Sequence, residues 1–484
     1  MEEIDIQSVT KRSIRGVFAL VSRTFAIQVI GLIANLLLTI FLSPSVFGVF
    51  FVVSAAIAFL SYFSDIGLAG ALIQKKEPIT EEELKTTFTI QQILVVTVVV
   101  IALLMSGLIK NFYHLNSDGL FLFQALVVSF FLSSLKTIPS ILLERELRFE
   151  KLVIPQIVEN LFFSVVAVVL AAKGFGVASF TFAVLSRGIS GVIAIYIISP
   201  WRIGFSFQKN AAKKLLSFGI PFQTNSFLAL IKDDLLIAYL GKVLPLAQVG
   251  YIGFAQKWAF VPLRLIMDNV IRITFPSFSR LQGDKNILRK AVEKSIFAAC
   301  FLIFPSLMGL VVLSPYFVHI IPKYLKWEPA ILSLAFFALN AALSSVSTPL
   351  TNALNAIGKI KITLYLMVFW TVATWVVTPL AIVIFGFNGV SYASALIALS
   401  VILVVAIVKR YIEFSVFRVL VNPFLATVLM GAIIYFISPL VVRNILSLIL
   451  MIILGAVVYF CTMFVLAKNE ILSDIKLVRE NLKK

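Results

Sequence analysis

Twelve ionisable side chains stand inside stretches of sequence that are otherwise almost wholly apolar, and these have the most chemistry to offer. The cations are Arg23, Lys136, Arg187, Lys232, Lys257, Arg264 and Arg272; the acids are Asp65, Glu159, Asp233, Asp234 and Asp268. A charge at the centre of a bilayer costs roughly 2.5–3.5 kcal/mol even on the lenient insertion scale, so each needs a wet cavity or an opposite charge. Lys257, Arg264, Asp268 and Arg272 form a pattern, at offsets 0, 7, 11 and 15. On a helix, at about 100° per residue, they fall within roughly 80° of one face. At 1.5 Å per residue they cover about 22 Å of depth. One helix face would then carry three positive groups and one negative across most of a hydrocarbon core. Pro262 allows a kink between Lys257 and the rest. Arg264 and Asp268 are also i,i+4, a spacing that equally lets them neutralise each other.

The remaining charges read as follows. Arg187 falls mid-span, too deep to snorkel easily, and either lines a cavity or joins a buried ion pair. Arg23, about six residues from a span edge, either snorkels or lines the same space. Lys136 is nearer a span end and is expected to snorkel. Lys232, Asp233 and Asp234 are consecutive and cannot all point one way, so at least one should face the cavity. Asp65 and Glu159 are proton or cation sites, or partners for the arginines. The embedded cations outnumber the acids, so a deep cavity here wants an anion. A phosphate or pyrophosphate fits, because arginine offers its oxygens a bidentate fork. Arg23, Arg187, Lys257, Arg264 and Arg272 are therefore candidate anion contacts, and Asp65, Glu159, Asp233, Asp234 and Asp268 candidate ion-coupling or cavity acids.

Catalytic and metal chemistry find little to work with. Cys300 and Cys461 lie in apolar runs, and His114 and His319 fall in separate predicted loops. There is no phosphate loop, nucleophile elbow or paired-acid loop. The longest outer loop, about 314–329, offers only His319 and Glu328. No enzyme activity, metal or cofactor is expected.

The elements that must position these charges are membrane helices. Of 484 residues, 60% are apolar and 13% charged, with a mean hydropathy of +1.04. Soluble domains run at about 45–50% apolar and 25% charged. That excludes an ordinary soluble enzyme, a secreted disulfide scaffold and a disordered tail protein. Fourteen spans are expected, at 17–42, 46–73, 88–109, 120–143, 154–172, 177–199, 215–240, 249–275, 296–313, 330–356, 362–385, 390–408, 416–440 and 445–466. A twelve-span alternative drops the last pair. The first run lacks a small-residue cleavage site and should stay in the membrane. With the N-terminus in the cytoplasm, and Arg418 at the very start of its span counted with the loop before it, the cytoplasmic segments hold 28 Lys and Arg and the outer loops six. That asymmetry is a strong positive-inside signature. It places both termini in the cytoplasm of an inner-membrane, multi-pass protein. It also accounts for the net charge of +18 through anionic lipid headgroups rather than nucleic acid.

The chain also repeats. Leu42–Phe50 reads LSPSVFGVF, and 202 positions later Leu244–Ile252 reads LPLAQVGYI, setting Pro44 opposite Leu246 and Gly48 opposite Gly250. An even number of spans separates the copies, which implies a parallel repeat with a substrate site between halves near the midplane. The expected organisation is an N-lobe at 1–199, a cytoplasmic linker at 200–214, a C-lobe at 215–408, an extra helix pair at 409–466 and an amphipathic cytoplasmic tail at 467–484. Leu142–Leu152, reading LLERELRFEKL, is expected as a second helix on the cytoplasmic face.

Four motifs in order carry a resemblance: LSPSVFGVF at Leu42–Phe50, DIGLAGALIQ at Asp65–Gln74, ERELRFEKL at Glu144–Leu152 and LLSFGIP at Leu215–Pro221. Over nearly its whole length the chain resembles polysaccharide-export flippases of the O-antigen and teichuronic-acid type, within the multidrug/oligosaccharidyl-lipid/polysaccharide exporter superfamily. The resemblance implies an all-helical fold of two six-helix lobes plus two helices. It implies movement of a polyprenyl-pyrophosphate-linked oligosaccharide to the outer leaflet by alternating access, through a cationic cavity whose lining includes arginines of the first and eighth helices. Arg23, Lys257, Arg264 and Arg272 occupy those helices. Coupling to Na+ or H+ stays open, and glycan polymerase or ligase machinery would be the partner. The alternative is a cation-coupled multidrug exporter of the same fold, which would want an acidic, aromatic cavity.

Overall fold

The computed structural model describes residues 26–62, 67–74, 77, 79–209, 212–213 and 230–466, and all regular structure among them is helical. The first part contains α1 (Ala26–Phe41), α2 (Pro44–Tyr62), α3 (Leu68–Gln74), α4 (Glu81–Leu104), α5 (Ser106–Phe112), α6 (Ser117–Leu135), α7 (Thr137–Arg145), α8 (Phe149–Ala172) and α9 (Ala178–Ile198). Helix α10 covers 230–243. Then come α11 (Leu246–Leu281), α12 (Lys285–Ile320), α13 (Ala330–Ala356), α14 (Ile360–Phe385), α15 (Gly389–Ala398), α16 (Val401–Lys409), α17 (Val416–Val441) and α18 (Ile445–Leu466). Local chemistry fixes several starts. Thr80 and Glu83 form a capping box ahead of α4, Asn116 caps α6 through Gly119 N–H, and Asp284 caps α12.

Among the described residues ten helices are long and apolar enough to cross a membrane. The chain is an all-helical, multi-pass membrane protein. The expected total of fourteen spans includes residues 17–25, 63–66 and 214–229, which lie outside the described residues. Three expected spans are each two helices: α4 and α5 part at Met105, α6 and α7 at Lys136, and α15 and α16 at Leu399–Ser400. Two expected spans lengthen to 36 residues, α11 and α12, about 54 Å at 1.5 Å per residue against a core of about 30 Å. Leu142–Leu152 departs from the single surface helix expected. Helix α7 stops at Arg145, Leu147 turns the chain at φ 56°, and α8 starts at Phe149. The 467–484 tail lies outside the described residues.

The chain forms two compact units, Met1–Gly250 and Tyr251–Lys484. The division lies well beyond the 200–214 linker, and glycine contacts within the first unit explain why. A Cβ added at Gly48 would lie 1.7 Å from the carbonyl oxygen of Leu246, and one at Gly250 would lie 1.9 Å from that of Pro44. These are the residues that the offset of 202 sets opposite one another, so the repeat is visible as a reciprocal backbone contact. Gly241 likewise packs against Val52, 2.4 Å from an added Cβ. In the first unit α9 packs along α8 and α6; in the second, α12 packs against α13, α17 and α18.

Candidate functional site

In the first unit, three charged side chains from three stretches of chain converge. Helix α9 makes this possible by presenting small residues on the side of Arg187. Gly188 packs against Leu132 and Ser129 of α6, and a Cβ on Gly191 would meet Glu159 Oε1 at 2.3 Å. Ser129 Oγ donates to the Val184 carbonyl at 3.1 Å, and Tyr196 OH to that of Leu135 at 3.1 Å. On the other side of α6, Gln92 Nε2 donates to Ser134 Oγ at 3.0 Å and Gln91 Nε2 to Thr137 Oγ1 at 2.8 Å. These bonds flank Lys136 and hold the junction where it sits.

Glu159 is 8% exposed. Its Oε1 accepts from Lys136 Nζ at 2.6 Å, and its Oε2 lies 3.8 Å from Arg187 Nε. Lys136 therefore does not snorkel as expected. Its partner lies on another helix, 23 residues on, which removes the need to reach the headgroups. The side chain of Arg187 is 50% exposed. Beside these groups is a cavity of about 410 Å³ whose polar lining is Lys136, Ser140, Gln156, Glu159, Asn160 and Arg187. Gln156 Oε1 is buried there without a hydrogen-bond donor. The sequence brought forward Glu159 and Arg187 but not Lys136, Gln156, Asn160 or Ser140. Only Lys136 carried a signal, as an embedded charge.

In the second unit, α11 runs unbroken through Pro262 and carries Lys257, Arg264, Asp268 and Arg272, all exposed. Ala255 and Ala259, both 0% exposed, lie on the opposite side. Phe254 stacks on the fully buried Trp327 at 4.3 Å, and Asn352 Nδ2 donates to Thr274 Oγ1 at 2.8 Å, fixing the helix against its neighbours. Arg264 and Asp268 do not form the i,i+4 pair, and among the described residues no carboxylate lies within 4.0 Å of Arg264 or Arg272. Arg264 and Arg272 share that exposed face of α11 with Lys257 and Asp268.

The other candidates are placed elsewhere. Lys232 Nζ lies 3.5 Å from its neighbour Asp233, and Asp234 is half-buried beside them. Arg23 and Asp65 lie outside the described residues. His319, in the last turn of α12 rather than in a loop, stands 3.9 Å from Glu328, both 56% exposed. Between α12 and α13, burial and the neighbouring Lys323 push the Lys326 ammonium down to about 8. Among the described residues no group of three His, Cys, Asp or Glu is placed to hold a metal ion.

Comparison with known proteins bears on these geometries. The family described as polysaccharide biosynthesis protein matches residues 37–332. The chain is 26% identical to the lipopolysaccharide biosynthesis protein WzxC of Escherichia coli (strain K12), over 75% of this chain and 74% of that protein. It is 24% identical to the teichuronic acid biosynthesis protein TuaB of Bacillus subtilis (strain 168), over 77% of this chain and 78% of TuaB. Among solved structures, the lipid II flippase MurJ in an inward closed conformation is similar with a TM-score of 0.77 at 15% identity, covering 93% of this chain and 99% of that one. An inward-facing multidrug resistance MATE family transporter of the MOP superfamily is similar at 0.62 and 16% identity, covering 81% and 98%. At these identities the two structures establish the fold.

Proposed function

We propose that this chain, which belongs to the polysaccharide biosynthesis protein family, translocates a polyprenyl-diphosphate-linked oligosaccharide across the cytoplasmic membrane by alternating access, without covalent chemistry. The cationic face of α11 carries the reading, above all Arg264 and Arg272, which have no carboxylate within 4.0 Å among the described residues. Lys257, Arg264 and Arg272 span about 22 Å of depth, with Asp268 the only acid among them. A diphosphate crossing a bilayer needs a positive, wet path along its whole course, and such a column supplies one. Arg23 joins the diphosphate contacts, and Arg187 serves the glycan from the cavity beside Glu159. Asp65, Glu159, Asp233, Asp234 and Asp268 are the groups through which Na+ or H+ would couple to the cycle. The 28-to-six distribution of Lys and Arg supports cytoplasmic termini. Polymerase or ligase machinery would take the product at the outer leaflet. A multidrug exporter of the same fold would present an acidic path to its cations, and the charge of α11 favours the anion.

The test is glycan export in cells carrying Arg264→Ala or Arg272→Ala. Export is expected to fall at least tenfold with the protein still present in the membrane. Normal export by both variants would make these charges structural and end this reading.

A further inference from the structure

We infer that the cavity beside Glu159 is a sugar-carboxylate site, which reads an acidic residue of the glycan apart from the diphosphate. The inference rests on the proposed transport of a lipid-linked glycan and assigns that cavity its own ligand.

The argument is one of charge and of unmet hydrogen bonds. Lys136 and Glu159 neutralise one another at 2.6 Å. Arg187 approaches the same carboxylate only through Nε, at 3.8 Å. Its two Nη groups have no partner among the described residues, and its side chain is half exposed beside the cavity. The three groups therefore carry one net positive charge, on a planar fork shaped for two oxygens of one oxyanion. A diphosphate diester brings two charges, which the face of α11 suits better; a carboxylate brings one.

The rest of the lining fits a sugar ring. Gln156 Oε1 is a buried acceptor lacking a donor, which a ring hydroxyl supplies. Asn160 Nδ2 is engaged with the Gln156 carbonyl at 2.7 Å, leaving its Oδ1 as an acceptor, and Ser140 adds a hydroxyl. The volume of about 410 Å³ lies within the range of about 300–1,000 Å³ typical of small-molecule sites. Gly191 is part of the design, because any larger side chain would displace the Glu159 carboxylate and with it the charge balance.

The experiment measures binding to full-length protein in neutral phosphatidylcholine nanodiscs. The probes are synthetic polyprenyl-diphosphate trisaccharides, one all-glucose and three with glucuronate at the first, second or third position. The wild type is expected to bind at least one glucuronate probe about ten- to a hundredfold more tightly than the glucose probe, the scale of a charge-assisted hydrogen bond. Arg187→Gln should bring that ratio close to one, Arg187→Lys should restore part of it, and Gln156→Glu should lower it by repulsion. A wild-type ratio near one at all three positions, or a ratio unchanged in Arg187→Gln, overturns the inference and leaves transport standing. A preference abolished by added phosphatidylglycerol also overturns it, by making the cavity a lipid-headgroup site. Failure of the wild type to bind any of the four overturns the flippase reading itself.

Discussion

Glu159 holds Lys136 close and Arg187 at a distance, so its replacement tests whether the cluster is a fixed unit. Glu159→Gln leaves a buried ammonium facing a neutral amide. Removing one partner of a buried pair costs about 3–5 kcal/mol, whereas replacing both by apolar groups is often neutral. Thermal unfolding of the detergent-solubilised protein should therefore show a clear loss for Glu159→Gln and a smaller one for the double variant Lys136→Met with Glu159→Leu. A double variant as unstable as the single would mean that the pair is not what holds these helices. At this scale the sequence was only half legible. Embedded charges announce themselves by type, which brought Glu159 and Arg187 forward. Pairing between helices 23 and 28 residues apart leaves no local mark, and so Lys136 was expected at the headgroups. Gln156 and Asn160 are ordinary polar residues until the fold sets them in the cavity wall.

Helix breaks and close approaches govern the next scale. Apolar runs gave the spans their places, but hydropathy alone does not distinguish one long helix from two that part at Met105 or Lys136; the local marks are Gly107 and Pro139, each within three residues of its break. Helices α11 and α12 exceed their expected spans because their charged ends continue the helix beyond the apolar window. The repeat was legible as a thin match, and its physical content is the reciprocal contact of Gly48 and Gly250 with opposing carbonyls. Glycine to alanine in a helix interior ordinarily stabilises by about 1 kcal/mol. Here the sign should invert, because a Cβ at 1.7 or 1.9 Å from backbone oxygen forces α2 and the start of α11 apart. Gly48→Ala and Gly250→Ala should each lower the melting temperature by several degrees, and Gly31→Ala, with open space around its Cβ, should not. Equal melting temperatures for all three would remove the contact from the forces holding the first unit.

For the whole molecule, composition identified the membrane as solvent because it sums over hundreds of residues, and the charge asymmetry gave an expected orientation. What composition does not carry is whether opposite charges on one face meet. Arg264 and Asp268 had the spacing to cancel, and in the column of charge on α11 they do not pair. The central claim is that a diphosphate-linked glycan crosses the bilayer along that column. The most direct measurement is leaflet transfer of a fluorescent polyprenyl-diphosphate oligosaccharide in proteoliposomes, scored by its accessibility to an external quencher or glycosidase. The expected result is transfer by the wild type well above protein-free vesicles, with Arg264→Ala reduced at least tenfold. No transfer by the wild type under any Na+ or pH gradient, or equal transfer by Arg264→Ala and wild type, would contradict it.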